Sequence, residues 1–399
     1  LDGALRYFHP QHPRGITLDN DPVEQPASTT DREFYTTDAF TDWAIRFLRE
    51  ESHSRRRPFL LYLAYTAPHW PLQAFEDDIA RYRDVYRLGW DRIREERFRR
   101  QLALGLWPEG VRLLPRPPQI PSWDSLTPEQ QEEMSLKMAV YAAMVDRMDW
   151  NIGRLVDVLR EAGLFENTVI MFLSDNGACA EGGMLGRGEF RDARRRNLEH
   201  SNAYGEAWAW ACNTPLRLYK HYLHEGGSAS PFFIYWPRGG LPNAGWCREP
   251  AAVVDILPTL LDLGGATYPR ERRGIALPPP EGTSLRPLLE GRPLARSSPI
   301  AFEHEGHAAL LDGEWKLVGR DLVRPAHLAA ERWELYRISE DPTETRDLSR
   351  AQPEQVRAMR EAWMAWAKRA GVWPKGDRGP LAEREPDPPR IAGRAFRVM

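Results

Sequence analysis

The chain has 399 residues, 42% of them apolar and 28% charged, enough to bury a large core as one large domain with a smaller one. A formal net charge of −3 argues against nucleic acid or an anionic membrane as partner. No apolar run approaches the ~20 residues that a bilayer crossing needs, and the three cysteines, Cys179, Cys212 and Cys247, have neither a disulfide framework nor metal-ligand spacing.

The opening, LDGALRYFHP, carries neither an initiator Met nor a basic-then-apolar leader and reads as the middle of a protein. The first strong helical pattern is TTDAFTDWAIRFLREE, with Phe40, Trp43, Ala44 and Phe47 at helical spacing. The unbroken apolar run Phe59 to Tyr65 follows and predicts a buried strand. From Phe75 to Ser125 the chain is polar and Pro-rich, and RLLPRPPQIPSWDSL within it predicts a surface connection. Arg94 to Gln101, REERFRRQ, reads as a solvated helix face.

The next helix has a clear start. Thr127 is an N-cap, Pro128 takes the first helical position and Gln130 completes a capping box. Tyr141, Met144, Val145, Met148, Ile152, Leu155 and Leu159 make one apolar stripe, and Gly163 ends it. Val169 to Leu173 is then a short apolar strand. Pro231 to Trp236 is another, followed by VVDILPTLLDLGG, a covering helix with Pro258 near its first turn. Helices feeding apolar strands predict an α/β fold with a mostly parallel or mixed central sheet flanked by helices. From about Pro299 the pattern changes. ALLDGEWKLV predicts a hairpin about Asp312-Gly313, WELYRI a further strand, and Pro353 to Lys368 an amphipathic helix. The expected division is therefore a catalytic α/β domain over residues 1–298, a small antiparallel α+β subdomain over 299–374 and an extended tail over 375–399.

Three segments carry candidate chemistry. Asp175-Asn176-Gly177 has the composition of a tight turn, yet ACAEGGMLGRGEF after it is no returning strand. It also falls past the carboxyl end of a strand, where open α/β sheets gather ligands. Its carboxylate and carboxamide oxygens suit a hard cation, Ca²⁺ or Mg²⁺. His69, in TAPHWPLQA, sits on a Pro-flanked loop and is either a structural histidine or a proton donor. Lys220, in NTPLRLYKHYLHEGG, is either an exposed helix lysine or a point charge for an oxyanion. His221, His224 and Glu225 beside it read as structural or peripheral. Together these describe a strand-end pocket fit for phosphate or sulfate ester cleavage.

FLLYLAYTAPHWPLQA, GWDRIREERFRRQLALGLWP, YAAMVDRMDWNIGRLVDVLREAGLFENTVIMFLSDNGA, TPLRLYKHYLHEGGSASPFFIYWP, VVDILPTLLDLGG and EGTSLRPLLEG resemble the arylsulfatases, formylglycine-dependent members of the alkaline phosphatase superfamily. The resemblance runs from about Tyr35 to Leu348. It implies that Asp175 and Asn176 ligate a divalent cation, usually calcium. It also implies that Lys220 contacts the sulfate and that His69 contacts the sulfate or the leaving-group oxygen as proton donor. Such enzymes act on small sulfate esters after a maturing enzyme has made the formylglycine. The family's C/S-x-P-S-R nucleophile motif does not occur in this sequence: the cysteines stand in CAEGG, CNTPL and CREPA. The expectation is thus a sulfatase whose nucleophile and remaining metal ligands lie upstream of Leu1, making this chain inactive by itself. The competing expectations are a phosphomonoester or phosphodiester hydrolase of the same superfamily, or a non-catalytic protein that binds sulfated ligands.

Overall fold

In the computed structural model the described residues are 5–10, 16–18, 21–23, 32–52, 58–192, 202–239, 241, 245–320, 322 and 332–372; the expected tail over 375–399 lies outside them. In chain order the elements are β1 (Ile16–Leu18), β2 (Asp21–Val23), α1 (Thr36–Ser52), α2 (Glu76–Ala80), α3 (Gly89–Ala103), α4 (Pro128–Glu161), β3 (Ile170–Leu173), α5 (Glu206–Cys212), α6 (Glu225–Ser228), β4 (Phe232–Tyr235), α7 (Ile256–Leu263), β5 (Glu271–Arg272), β6 (Ile275–Ala276), α8 (Arg286–Leu289), β7 (Ile300–His304), β8 (His307–Asp312), β9 (Trp315–Gly319), β10 (Trp333–Arg337) and α9 (Pro353–Arg369).

Helix α4 is the frame of the larger part. It begins as its sequence dictates: Thr127 Oγ1 accepts from the Gln130 amide, and the Gln130 side chain accepts from the Thr127 amide. Gly163, at φ 67°, provides the left-handed residue that ends it. Met134, Met138, Val140 and Met144 sink into an aromatic-rich core with Trp90, Trp123 and Trp208, whose rings meet edge-on or tilted at 4.9 to 6.0 Å. Where α1 crosses α4, Asp38 receives a fork from Arg147 and a 2.7 Å bond from Asn151 Nδ2. The ion pair is buried, and both charges are hydrogen-bonded, which such burial requires.

The architecture is α/β, with helices over a short central sheet and a four-stranded antiparallel sheet at the C-terminal end. Strand pairing differs from the expectation. β3 pairs antiparallel with β4, Phe172 opposite Phe233, and every ladder among the described residues is antiparallel. Apolar runs announce strands, but the direction of the partner is not in the pattern. The expected strand Phe59 to Tyr65 is not in a ladder among the described residues. It runs beside the helices with Leu61 packed on Ile45, Leu48, Val158 and Leu159, while Leu60 is 70% and Tyr62 88% exposed.

Two further expectations need correction. The polar excursion is not all surface, because Trp90, Ile120 and Trp123 belong to the main core. Arg94, expected on a solvated face, is 1% exposed. Its guanidinium donates to the carbonyls of Trp210 (2.7 Å) and Pro215 (3.1 Å) and to Thr214 Oγ1 (3.3 Å). Local charge density marks a solvated helix, whereas these three acceptors come from a segment over 110 residues away.

The C-terminal sheet runs β10-β9-β8-β7. The β8–β9 turn sits one residue later than expected: Asp312 pairs with Trp315, so Gly313 and Glu314 are the loop and Gly313 supplies φ 57°. Helix α9 lays Val356, Met359, Trp363 and Ala367 over Leu310, Leu317 and Leu335.

Candidate active site

The site lies where three loops meet beyond β3 and before β4. Asp175, Asn176 and Gly177 leave the end of β3, and Gly177 is pressed against the α6 segment. A Cβ at Gly177 would stand 1.7 Å from the Gly226 carbonyl oxygen, so only glycine fits. The Gly177 amide donates to the Gly227 carbonyl at 3.0 Å, and the Lys220 amide to the Ala178 carbonyl at 3.0 Å. Asn213 ties these loops: its Oδ1 accepts from the Ala178 amide (2.9 Å), and its Nδ2 donates to the carbonyls of Leu218 and Gly226, each 2.7 Å away. Leu218 and His221 take left-handed backbone, φ 62° and 84°, on either side of Lys220. Such conformations persist when surrounding bonds over-determine them.

The second wall is the His69 loop. Tyr7 donates its hydroxyl to the His69 carbonyl at 2.9 Å, and the His69 Nδ1 lies 2.6 Å from the Trp70 carbonyl. That contact turns Nε2 toward Lys220, whose Nζ is 3.5 Å away. A small recess lined by Pro68, His69, Trp70, Leu72, Cys179 and Tyr204 opens here.

His69 and Lys220 are therefore brought together from segments 151 residues apart. Asp175 is exposed, with Asn176 partly buried beside it, and the Asp175 charge reaches Lys220. Asn176 accepts a 3.1 Å bond from Ser174 Oγ through its backbone carbonyl. His224 is fully buried, 2.8 Å from Glu334, and burial pushes it down to about 4 against the opposing pull of that carboxylate. Its place is structural.

Glu181 was not among the sequence candidates. Its Oε1 accepts from Lys220 Nζ at 2.9 Å and its Oε2 from Trp70 Nε1 at 2.6 Å. Burial pushes the Glu181 carboxyl up, but Lys220, Trp70 and His221 outweigh burial and hold it at about 2. For Lys220, burial acts to lower the pKa, and the Glu181 bond with the charges of Cys179, Glu181 and Asp175 raises it above the ordinary lysine value. Nothing local in ACAEGGM singled out Glu181, since its partner follows 39 residues later. Chemically, the site presents a fixed ammonium, an imidazole Nε2 and exposed oxygen donors on one side of the sheet. That set suits a small oxyanion ester.

An α/β scaffold with a strand-end oxyanion site is the class so defined. The Sulfatase family profile matches residues 7–266, and the chain belongs to the sulfatase family. It is 33% identical over 374 residues to an uncharacterized sulfatase of Schizosaccharomyces pombe, a match covering 89% of this chain and 65% of that protein. It is 31% identical over 273 residues to an arylsulfatase of Klebsiella aerogenes, covering 66% of this chain and 56% of that enzyme. The crystal structure of Ps i-CgsB shares the fold, with a TM-score of 0.54 at 23% identity over 85% of this chain and 56% of that one. The chain thus spans 65% and 56% of the lengths of the two relatives. Sulfatases act on small sulfate esters with the help of a divalent metal. Among the described residues no helix is long and apolar enough to cross a membrane.

Proposed function

We propose that this chain forms the sulfate-binding side of a sulfuric ester hydrolase of the arylsulfatase type. The observation that carries the reading is the convergence of Lys220 Nζ and His69 Nε2, 3.5 Å apart, beside a recess that His69 lines. Lys220, cationic and with its backbone N–H hydrogen-bonded to the Ala178 carbonyl, serves as the point charge for the sulfate's non-bridging oxygens. His69 serves as the proton donor that relieves charge on the bridging oxygen as the ester bond breaks. When a sulfate displaces Glu181 as partner of Lys220, Trp70 keeps that carboxylate beside the pocket.

Asp175 and Asn176 would hold a calcium ion, or magnesium in its place. The fit rests on donor chemistry: a carboxylate and a carboxamide at a loop that Gly177 and Asn213 hold rigid. A hard cation takes about six to eight oxygens, so these two supply part of the shell. When bound, the ion stabilises negative charge on the ester. With no C/S-x-P-S-R motif in its 399 residues, this chain alone is expected to show no turnover, and maturation by a formylglycine-generating enzyme would act on such a motif.

The test is turnover of an aryl sulfate against an aryl phosphate by the mature protein. Preference for the sulfate, with losses of at least ~100-fold in Lys220→Ala and Asp175→Ala, is the expected result. Faster cleavage of the phosphate, or near-normal turnover in both variants, would overturn it.

A further inference from the structure

Beside the proposed sulfate pocket lies a group of side chains to which the reading above gives no catalytic role. His221, His304 and Glu305 each offer one ligand atom, and these atoms lie within 4.8 Å of one another. His221 Nδ1 is 2.8 Å from Glu305 Oε2, and His304 Nε2 is 3.9 Å from Glu305 Oε1. The two imidazoles lie nearly parallel, 23° between planes and 6.1 Å between centroids.

The group is assembled from two distant parts of the chain. His221 follows Lys220 in left-handed backbone, and Glu305 is left-handed, φ 50°, in the tight β7–β8 turn. A second observation concerns the other face of the His221 ring. Its Nε2 is 3.3 Å from Glu181 Oε1, so the ring is bracketed by a carboxylate on each nitrogen. A histidine that gives one nitrogen to a metal commonly donates the other N–H to a carboxylate, which fixes its tautomer and orientation. Glu181 occupies that outer position.

We propose that His221, His304 and Glu305 form a second metal site, selective for a borderline divalent ion of the zinc class rather than calcium. Two imidazoles and one carboxylate are a nitrogen-rich set, which favours zinc-like ions over the hard cations suited to the all-oxygen pair Asp175 and Asn176. Zinc–ligand distances near 2.0–2.2 Å require the three donors to draw together from their present spacing. The exposed side chains of His304 and Glu305 have room to do so. The ion would clamp the β7–β8 turn to the loop that bears Lys220, leaving a fourth position for water.

Titrating the full 399-residue chain with ZnCl₂ by calorimetry, and with CoCl₂ by visible absorption, tests this. The expected result is saturable binding with a tetrahedral Co²⁺ spectrum free of thiolate charge-transfer bands. His304→Ala and Glu305→Gln should each weaken it by at least ~10-fold, the scale of removing a ligand or its close support. Asp175→Ala should bind Zn²⁺ as the parent does, and millimolar Ca²⁺ should not compete. Because His304 and Glu305 are exposed, both variants should keep the parent's thermal midpoint, so a lost signal cannot be misfolding. Absence of saturable binding, parent-like affinity in the two variants, a thiolate band or competition by Ca²⁺ would each overturn the proposal. None of these outcomes depends on sulfatase turnover.

Discussion

Glu181 accepts from Lys220 Nζ at 2.9 Å, so a charged pocket is kept in register with its ammonium paired. Lys220, Trp70 and His221 hold the carboxyl at about 2, so the pair stays charged at neutral pH. Arg94 does comparable work from further back. It is a buried cation whose partners are neutral, two backbone carbonyls and one hydroxyl. Burial, with Arg97 adding to it, lowers its pKa to about 9. Those acceptors lie in Trp210 to Pro215, the stretch that delivers Asn213 and then Lys220. Arg94→Ala would strand three buried acceptors, and a loss of ~3 kcal/mol in urea unfolding is expected. Arg94→Lys should recover only part of this, since an ammonium lacks the planar fork that reaches both carbonyls. Equal midpoints for wild type and Arg94→Ala would refute this role. The charge run REERFRRQ gave no sign of the role, because what buries Arg94 is α5 and the turn after it.

Among elements, the link between α6 and the C-terminal sheet is ionic and buried. Lys316 of β9 bonds Glu225 at 2.5 Å and lies 3.4 Å from Glu344, which accepts from the Glu225 amide at 2.9 Å. One cation thus faces two carboxylates. Burial raises Glu344 most, with the Glu225 charge adding to it; Lys316, the Glu225 amide and Arg217 oppose the rise, and the net value is about 7. Its folded value exceeds the unfolded 4.5, so its contribution is fully present below pH 4.5 and is lost as pH rises through about 7. His224 has the opposite sign. Its folded value, near 4, is below the unfolded 6.5, so its contribution is present above 6.5 and fades as pH falls through 4. Glu344→Gln should remove the alkaline loss. Its thermal midpoint relative to wild type is expected to climb between pH 5 and 8, by the equivalent of ~2 kcal/mol. A pH-independent difference would show that Glu344 titrates normally. Helix starts were legible here, Thr127 and Pro353 above all, because caps and proline act locally. The antiparallel pairing of β3 with β4 was not, because it depends on what lies 60 residues away.

For the whole molecule, the larger core and the C-terminal core are built from the same material: aromatic rings in edge contact, sealed by a long amphipathic helix. Of the site's four expected residues, His69, Asp175 and Asn176 were singled out because each follows a strand or apolar run, and strand ends are where α/β folds place ligands; Lys220 comes ahead of β4 instead, and its Nζ lies 3.5 Å from His69 Nε2. Their companions Glu181, Asn213 and Tyr7 each make a contact spanning 35 residues or more, which no local pattern records.

The apolar run Phe59 to Tyr65 has a practical consequence. Leu60 and Tyr62 stand outward, and Phe233 and Tyr235 of β4 are also half exposed. An apolar stretch with no ladder partner among the described residues is a template on which a second chain can add a strand. Solutions of this 399-residue chain should therefore thicken into β-rich particles as concentration rises, well below the unfolding temperature. A paired Leu60→Lys, Tyr62→Lys exchange, which leaves Leu61 on its helices, should keep the solution clear. Light scattering would decide it: equal particle growth in both chains would mean that the adhesive surface lies elsewhere.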